Sequence, residues 1–235
     1  MFDFTPFTHL TFDCYGTLID WEGGILAALR PIMARHDSAR TADQLLELFG
    51  ELEAAAEAGP YQSYRGVLAT VLDGFGERLG FTPTAEERET FAGAVVDWPA
   101  FPDSAAALAI LKEHFALVVI SNIDDDLFAA SARKLGDPFT DVITAQQVGS
   151  YKPNRQNFRF ALEKLGVPQG AILHVAQSLF HDIAPAKELG FTTVWVNRRH
   201  DRPGDGATPP ATATPDLEVP DMQTLARLVT AARGA

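Results

Sequence analysis

Short apolar runs alternate with helical patterns along the second half of this chain, and that alternation constrains the fold more than any other feature. Strands are predicted near 116–120, 141–144, 171–175 and 193–196. Helices are predicted near 104–113, 125–135, 154–165 and 182–189. Strands joined through helices pair in parallel, because each crossover returns the chain to the same edge of the sheet. We therefore predict an α/β fold with a doubly wound, Rossmann-like parallel sheet.

The first strand is separated from the others by a long helical block. His9–Phe12 is a strand-like run, whereas the pattern is helical from Ile25 to Val96, with breaks at Gly59-Pro60 and Phe81-Thr82-Pro83. A block of this kind inside an α/β fold is typical of an insertion. We predict a core domain formed by residues 1–18 and 99–235, and an all-helical cap domain formed by residues 19–98.

Polar side chains follow several of the predicted strands. Asp13 comes directly after the first strand, Ser121 and Asn122 end the second, and Asp182 follows the strand that contains His174. Ligands collect at the carboxyl ends of the strands in open α/β sheets. A carboxylate displayed there is a candidate nucleophile that can form a covalent intermediate, so Asp13 is the first candidate catalytic residue.

Four motifs in a fixed order resemble those of the haloacid dehalogenase superfamily. They are Asp13 in a D-x-x-G-T sequence, Ser121 after the second strand, Lys152 in Tyr-Lys-Pro, and the segment that ends in Asp182. The resemblance spans nearly the whole chain and implies a Rossmann-like core with an inserted cap. It also implies a hydrolase whose nucleophile is Asp13.

The residues that differ from the phosphatases of this superfamily indicate which chemistry the site runs. These phosphatases share a second Asp two residues after the nucleophile, where this chain has Tyr15. They also share an Asp that helps to hold Mg²⁺, where this chain has Gln177. Losing a general acid and a charged Mg²⁺ ligand together weakens a phosphatase assignment. We predict no metal and no cofactor, with Mg²⁺ required only if the protein is a phosphatase.

A halide leaves as a stable anion, so its departure needs no general acid. The sequence also resembles the type II, (S)-2-haloacid dehalogenase branch in four segments, D-x-Y-G-T-L, S-N, Y-K-P and W-x-N-R. By this resemblance Asp13 attacks C2 of a short 2-haloalkanoic acid, and water then cleaves the aspartyl ester with net inversion. Thr17 would hydrogen-bond Asp13, and Ser121 and Asn122 would bind the substrate carboxylate or the halide. Lys152 would keep Asp13 ionised and supply the positive charge that Mg²⁺ supplies in phosphatases.

Several other candidate residues have more than one possible role in the site. Asp182 would orient Lys152 or activate water, and His181 is a second candidate for the base because its ordinary pKa suits neutral pH. Ser178 belongs to the same motif, in which Ser178 and His181-Asp182 replace the S-N-x-W-D run of the resembling branch. Tyr15 is assigned to substrate binding, and Trp21 either lines an apolar pocket or packs at the hinge of the cap.

The substrate carboxylate has no obvious partner in the cap. The resembling dehalogenases carry an arginine in the first cap helix, but the segment from Leu45 to Glu53 contains no basic residue. Arg65 is the nearest alternative, and a solvated helix arginine is the competing interpretation.

Charge and hydropathy exclude several classes of partner. The net charge of −12 argues against nucleic acids and anionic membranes, which bind clustered basic residues. The sequence has neither an apolar run of about 18 residues nor a signal peptide pattern. We expect a soluble, cytoplasmic protein that acts on a small-molecule substrate, and the sequence leaves a homodimer open.

Two classes of alternative remain. The first is another hydrolase on the same scaffold, either a phosphatase with an altered Mg²⁺ site or an enzyme that opens a strained carbon–nitrogen ring through the same ester. The second is a non-catalytic binding module, although the presence of Asp13, Thr17, Ser121, Lys152 and Asp182 together argues against it.

Overall fold

The computed structural model describes residues 2–38 and 40–233. Within them a single six-stranded sheet has the order β3-β2-β1-β4-β5-β6, and all of its strand pairs are parallel. The strands are β1 (His9–Phe12), β2 (Ala116–Ser121), β3 (Asp141–Thr144), β4 (Ile172–Ala176), β5 (Thr192–Val196) and β6 (Leu217–Val219). The predicted α/β class with a doubly wound parallel sheet is confirmed.

Helices cover both faces of the sheet, and this explains why the strand sequences are continuously apolar. Along β2, Leu117 and Val119 pack into one apolar cluster, whereas Val118 and Ile120 pack into another. Side chains alternate between the two faces of a strand, so both faces of β2 are buried. From residue 104 onward the α-helices are α5 (Ser104–Leu111), α6 (Asp125–Lys134), α7 (Ala145–Val148), α8 (Gln156–Leu165), α9 (Ala184–Glu188) and α10 (Met222–Arg233).

The segment between β1 and α5 is helical, as predicted. It contains α1 (Trp21–Arg35), α2 (Ala42–Glu57), α3 (Tyr64–Leu79), α4 (Ala85–Gly93) and a 3₁₀ turn (Ala94–Asp97). Thr41 and Thr84 begin α2 and α4 with capping boxes, and Gly80 ends α3 in a left-handed conformation. The division of the chain into a core and a cap domain at residues 18 and 98 stays a prediction. Across the described residues, no helix is long and apolar enough to cross a membrane.

The sequence did not predict three elements correctly. Strand β6 and helix α7 were missed, because each has only three or four residues and too little pattern to detect. The helix expected near 182–189 is instead a π-helical turn (Leu179–Ile183) followed by the short α9.

Candidate active site

The candidate active site lies at the carboxyl ends of three adjacent strands. Because β1 lies between β2 and β4, the residues that follow these strands meet at one edge of the sheet. The backbone N–H of Asp13 donates to the carbonyl of Val175 at 3.1 Å, which continues the β1–β4 pairing as far as the carboxylate. Asp13, Ser121 and Asp182 are therefore brought together, as the sequence predicted for strand ends.

Lys152 is the centre of the site. Its ammonium donates to Asp13 Oδ1 at 2.9 Å, to Asp182 Oδ1 at 2.7 Å and to the carbonyl of Ile120 at 2.9 Å. Its side chain is only 1% exposed. Burial alone would lower the pKa of Lys152, but the Asp13 and Asp182 carboxylates raise it overall, so the ammonium is charged at neutral pH.

The nucleophile candidate Asp13 is fixed through both of its carboxylate oxygens. Thr17 Oγ1 donates to Asp13 Oδ2 at 2.7 Å and accepts from the backbone N–H of Gln177 at 2.9 Å. Gly16, with φ of 92°, makes the turn between Asp13 and Thr17, and a side chain at this position would collide with Gln177 and Trp21. Burial and the charge of Asp182 raise the pKa of Asp13, whereas Lys152 and Thr17 oppose that rise.

A buried histidine that was not singled out from the sequence supports Asp182. His174 Nε2 lies 3.0 Å from Asp182 Oδ1, and His174 Nδ1 lies 2.9 Å from Thr11 Oγ1. Burial raises the pKa of Asp182, but Lys152 and His174 outweigh burial and hold it below its usual value. The signal in the sequence was a histidine in the middle of the otherwise apolar strand β4.

The last motif forms the π-helical turn that follows β4. Ser178 begins the turn, since its hydroxyl accepts from the backbone N–H of His181 at 2.8 Å and lies 3.1 Å from His181 Nδ1. A π turn carries one more residue than an α turn and is frequent at functional sites. The result is that Asp182 reaches Lys152, whereas His181 faces the opposite wall of the site.

Two carboxylates on α2 form that opposite wall, and the sequence did not reveal them. Glu53 Oε1 accepts from Tyr64 Oη at 2.6 Å, and Glu57 Oε2 accepts from Asn122 Nδ2 at 3.1 Å. Burial raises the pKa of Glu53 to about 8, and burial together with the charge of Glu53 raises that of Glu57 well above its usual value. We call Glu53 and Glu57 the acidic wall.

His181 lies between the acidic wall and the centre of the site. Its Nε2 atom is 3.9 Å from Glu57 Oε2, beyond hydrogen-bond distance. Burial lowers the pKa of His181 to about 4, and the charge of Lys152 acts in the same direction. The imidazole is therefore neutral at neutral pH and has the free nitrogen that a base requires.

Ser121 and Asn122 differ in whether their side chains are available to hydrogen-bond a ligand. Asn122 Oδ1 accepts from the backbone N–H of Lys152 at 2.7 Å, and Nδ2 donates to the Lys152 carbonyl at 2.9 Å as well as to Glu57. Asn122 thus holds the Lys152 backbone in place. Ser121 Oγ is buried and has no hydrogen-bond partner in the described part of the chain, which leaves it free for a ligand.

These groups enclose a small inner cavity of about 30 Å³, lined from the sheet side by Asp13, Ser121, Lys152 and Asp182 and from α2 by the acidic wall. Tyr15 and Trp21 also line it. The Tyr15 hydroxyl is 3.0 Å from Ser131 Oγ, and the Trp21 ring packs edge-on against Phe49. Trp21 therefore lines the pocket and packs against the helical segment at the same time.

Arg65 is not brought to the site. The backbone N–H groups of Tyr64 and Arg65 donate to the Asp124 carboxylate at 2.9 and 3.2 Å, which fixes the start of α3. From there the guanidinium reaches Asp126 at 2.8 Å and remains 42% exposed. Arg65 is not among the residues that line the inner cavity, and Lys152 is the only lysine or arginine of the described chain that is.

The residues present do not fit a Mg²⁺ site. Asp13 and Asp182 converge on the Lys152 ammonium, and Gln177 offers a neutral amide where a charged ligand is preferred. Among residues 2–38 and 40–233, no group of three or more His, Cys, Asp or Glu side chains could hold a metal ion.

The parallel sheet and the Asp13–Lys152–Asp182 cluster at its edge define the class of protein, a Rossmann-like α/β fold with a buried carboxylate–lysine centre. The family model of haloacid dehalogenase-like hydrolases matches residues 7–190. The chain belongs to this family, which confirms the resemblance drawn from the four motifs.

The chain is similar to individual members of the family at low sequence identity. The chain is 24% identical to (S)-2-haloacid dehalogenase 1 of Pseudomonas sp. (strain CBS-3), over 82% of this chain and 86% of that protein. It is 31% identical to a phosphoserine phosphatase of Thermus thermophilus, over 72% and 65% respectively. A solved structure of L-2-haloacid dehalogenase from Xanthobacter autotrophicus with covalently bound chloropropionic acid matches with a TM-score of 0.79, 22% identity, and coverage of 95% and 98%. At that identity the structural match shows the fold.

Proposed function

We propose that this protein hydrolyses the carbon–halogen bond of short 2-haloalkanoic acids, with Asp13 as the nucleophile. The observation that carries this proposal is the position of Asp13, whose oxygens are held by Lys152 at 2.9 Å and by Thr17 at 2.7 Å at the end of β1. One carboxylate fixed in this way beside a permanent ammonium can attack a carbon centre without a metal.

The reaction runs in two steps. In the first, a carboxylate oxygen of Asp13 attacks C2 of the substrate, the carbon–halogen bond breaks, and the halide leaves with the bonding electrons. In the second, water attacks the carbonyl carbon of the aspartyl ester and gives a proton to His181 or Asp182. Collapse of the tetrahedral intermediate releases the 2-hydroxy acid with inverted configuration at C2 and regenerates the Asp13 carboxylate.

Lys152 supports both steps in this proposal. Its charge favours the ionised form of Asp13 before attack, and it stabilises the oxyanion that forms during cleavage of the ester. The unpartnered hydroxyl of Ser121 is the group that remains available for the substrate carboxylate. Asn122 is the second candidate, through a rearrangement of the hydrogen bond that it donates to Glu57.

Tyr15 is the reason to favour a halide over the alcohol of a phosphate ester as the leaving group. Burial raises the pKa of the Tyr15 phenol well above its usual value, so it is a poor proton donor where phosphatases have an acid. Halide departs as a stable anion and needs no proton. The curated relatives include (S)-2-haloacid dehalogenases as well as phosphatases, which supports the scaffold in either case.

The acidic wall favours a second candidate, the hydrolytic opening of a strained carbon–nitrogen ring. A strained ring nitrogen is protonated near neutral pH, and its positive charge would favour the ionised forms of Glu53 and Glu57, which line the inner cavity. The same Asp13 ester would form, and the amine would stay attached to the product. The absence of halide release, with ring opening detected as a new primary or secondary amine, would identify this reaction.

The proposed function is tested by measuring halide release from the two enantiomers of 2-chloropropionate, and phosphate release from phosphoserine with Mg²⁺. We expect chloride release from the (S) enantiomer, none from Asp13→Asn, and no phosphate. Asp43→Asn is a matched control, because Asp43 is an exposed carboxylate at the start of α2. Phosphate release that depends on Mg²⁺, without chloride release, would contradict the proposal.

A further inference from the structure

A second and larger cavity adjoins the inner cavity. This outer cavity has a volume of about 410 Å³ and is lined by residues that include Gly59, Tyr61, Tyr151 and Pro153. Glu57, Lys152 and His181 line both cavities. The inner cavity of about 30 Å³ offers roughly the space of one water molecule. A substrate that is longer than its reacting group therefore has to pass Glu57 and enter the outer cavity.

Glu57 is a buried carboxylate without a cation of its own. Its side chain is 5% exposed, and it accepts a hydrogen bond from the neutral amide of Asn122 at 3.1 Å. The Lys152 ammonium is directed to Asp13, Asp182 and the carbonyl of Ile120. Buried charges in proteins are normally paired, because an unpaired charge costs several kcal/mol of desolvation. Burial without a paired cation raises the pKa of Glu57, and a cationic ligand would lower this pKa and pair with the ionised carboxylate.

An independent observation points to a ligand at the same place. His181 Nε2 is buried and lacks a hydrogen-bond partner in the described part of the chain, and it lies on the boundary of the two cavities. Buried polar nitrogens are nearly always hydrogen-bonded in proteins, so an unpaired one that faces a cavity indicates an absent partner.

The aromatic lining of the outer cavity suits a cation. The rings of Tyr61 and Tyr151 are stacked with their centroids 5.4 Å apart, and both line this cavity beside Glu57. The Tyr151 hydroxyl donates to the carbonyl of Gln62 at 2.9 Å, which fixes that ring. Aromatic faces attract ammonium groups, most strongly where the ammonium is removed from water.

We propose that the substrate is a 2-haloalkanoic acid whose chain carries an ammonium group, and that Glu57, Tyr61 and Tyr151 bind this group in the outer cavity. The inference rests on the proposed function, because the reacting carbon must lie at Asp13. Specificity for such a substrate would come from Glu57, which pairs with the substrate ammonium. Ser121 remains available to bind the substrate carboxylate.

The test compares two products of the reaction, which bind without turnover. (R)-2-Hydroxybutanoate and (R)-4-amino-2-hydroxybutanoate differ only by the ammonium group, and calorimetry on the full chain measures the affinity of each. We expect the ammonium compound to bind at least about 10-fold more tightly. Glu57→Gln should reduce this ratio to within about 2-fold, since an amide carries no charge. Tyr61→Leu, at an exposed ring, should reduce the ratio by about 2- to 5-fold.

Glu51→Gln is the matched control, because Glu51 lies on the same helix but pairs with Arg78 at the surface. It should leave the ratio unchanged. Equal binding of the two compounds by the wild-type chain, or tighter binding of 2-hydroxybutanoate, would overturn the inference.

The same preparation is assayed for chloride release from 2-chlorobutanoate and from 4-amino-2-chlorobutanoate, so that the two proposals fail separately. Chloride release without a preference for the ammonium compound contradicts this inference alone. A preference for the ammonium compound without chloride release from either substrate contradicts the proposed function and leaves the ammonium site standing.

Discussion

The Lys152 ammonium is closer to Asp182 Oδ1, at 2.7 Å, than to the corresponding oxygen of Asp13, at 2.9 Å. This matters because Asp13 loses its negative charge when it becomes an ester, whereas Asp182 keeps its charge. The pair formed by Lys152 and Asp182 therefore holds the ammonium in position when the ester forms. His174 completes the arrangement by hydrogen bonding to the same oxygen of Asp182 at 3.0 Å.

Replacement of Lys152 should abolish most of the activity. We expect Lys152→Met to lower the turnover number at least about 100-fold, in line with the removal of other electrostatic stabilisers. Thermal unfolding checks that the variant is folded, since it leaves two buried carboxylates without their cation. Lys187→Met is the control, because Lys187 pairs with Asp216 outside the site. Turnover within about 3-fold of the wild type would remove Lys152 from the mechanism.

His181 and Asp182 compete for the role of water-activating base, and the two candidates predict different intermediates. If His181 is the base, His181→Gln should release one chloride per enzyme in a rapid burst and then turn over about 100-fold more slowly or less. Because the pKa of His181 is about 4, wild-type activity should fall only as the pH drops through that value. A burst in Asp182→Asn, and none in His181→Gln, would assign the role to Asp182.

Glu53 should make the protein less stable as the pH rises. Its pKa is about 8 in the folded protein, against an ordinary value of 4.5. Between these values the folded state holds a proton that the unfolded state has lost, so the free energy of unfolding falls with rising pH. Glu53→Gln should remove at least about 1 kcal/mol of this fall. Chemical denaturation at pH 5 and pH 8.5 measures it, and parallel curves for the two proteins would contradict the assignment.

Activity should survive the removal of metal ions. Lys152 supplies positive charge between Asp13 and Asp182, and Gln177 cannot act as a charged Mg²⁺ ligand. Chloride release measured with and without excess chelator should agree within about 2-fold. Activity that is lost on chelation and restored only by Mg²⁺ would favour the phosphatase alternative.

The sequence was informative wherever function depends on strand ends. Apolar strands followed by polar residues are local patterns, and the parallel topology then brings Asp13, Ser121 and Asp182 to one edge. Lys152 could be placed there from its motif. The departure of the last motif from the S-N-x-W-D run was visible too, but whether this segment would form a loop or a π turn depends on the packing of His181 and Asp182.

The acidic wall could not be predicted in this way. The pattern of α2 identifies an amphipathic helix but not what its buried face meets, so Glu53 and Glu57 resembled ordinary helix carboxylates. Arg65 is the reverse case, a candidate from the sequence that the structure places outside the inner cavity. It was chosen by proximity in sequence to the first cap helix, but hydrogen bonds to Asp124 fix the start of α3 and leave the guanidinium with Asp126.

The central claim is that Asp13 forms a covalent ester, and single turnover in heavy-oxygen water with enzyme in excess tests it most directly. Water then attacks the carbonyl carbon of the ester, so mass spectrometry should find the heavy oxygen in the peptide that contains Asp13, and the 2-hydroxy acid should be unlabelled. Heavy oxygen in the product of the first turnover, with none in the Asp13 peptide, would show direct attack by water and contradict the account.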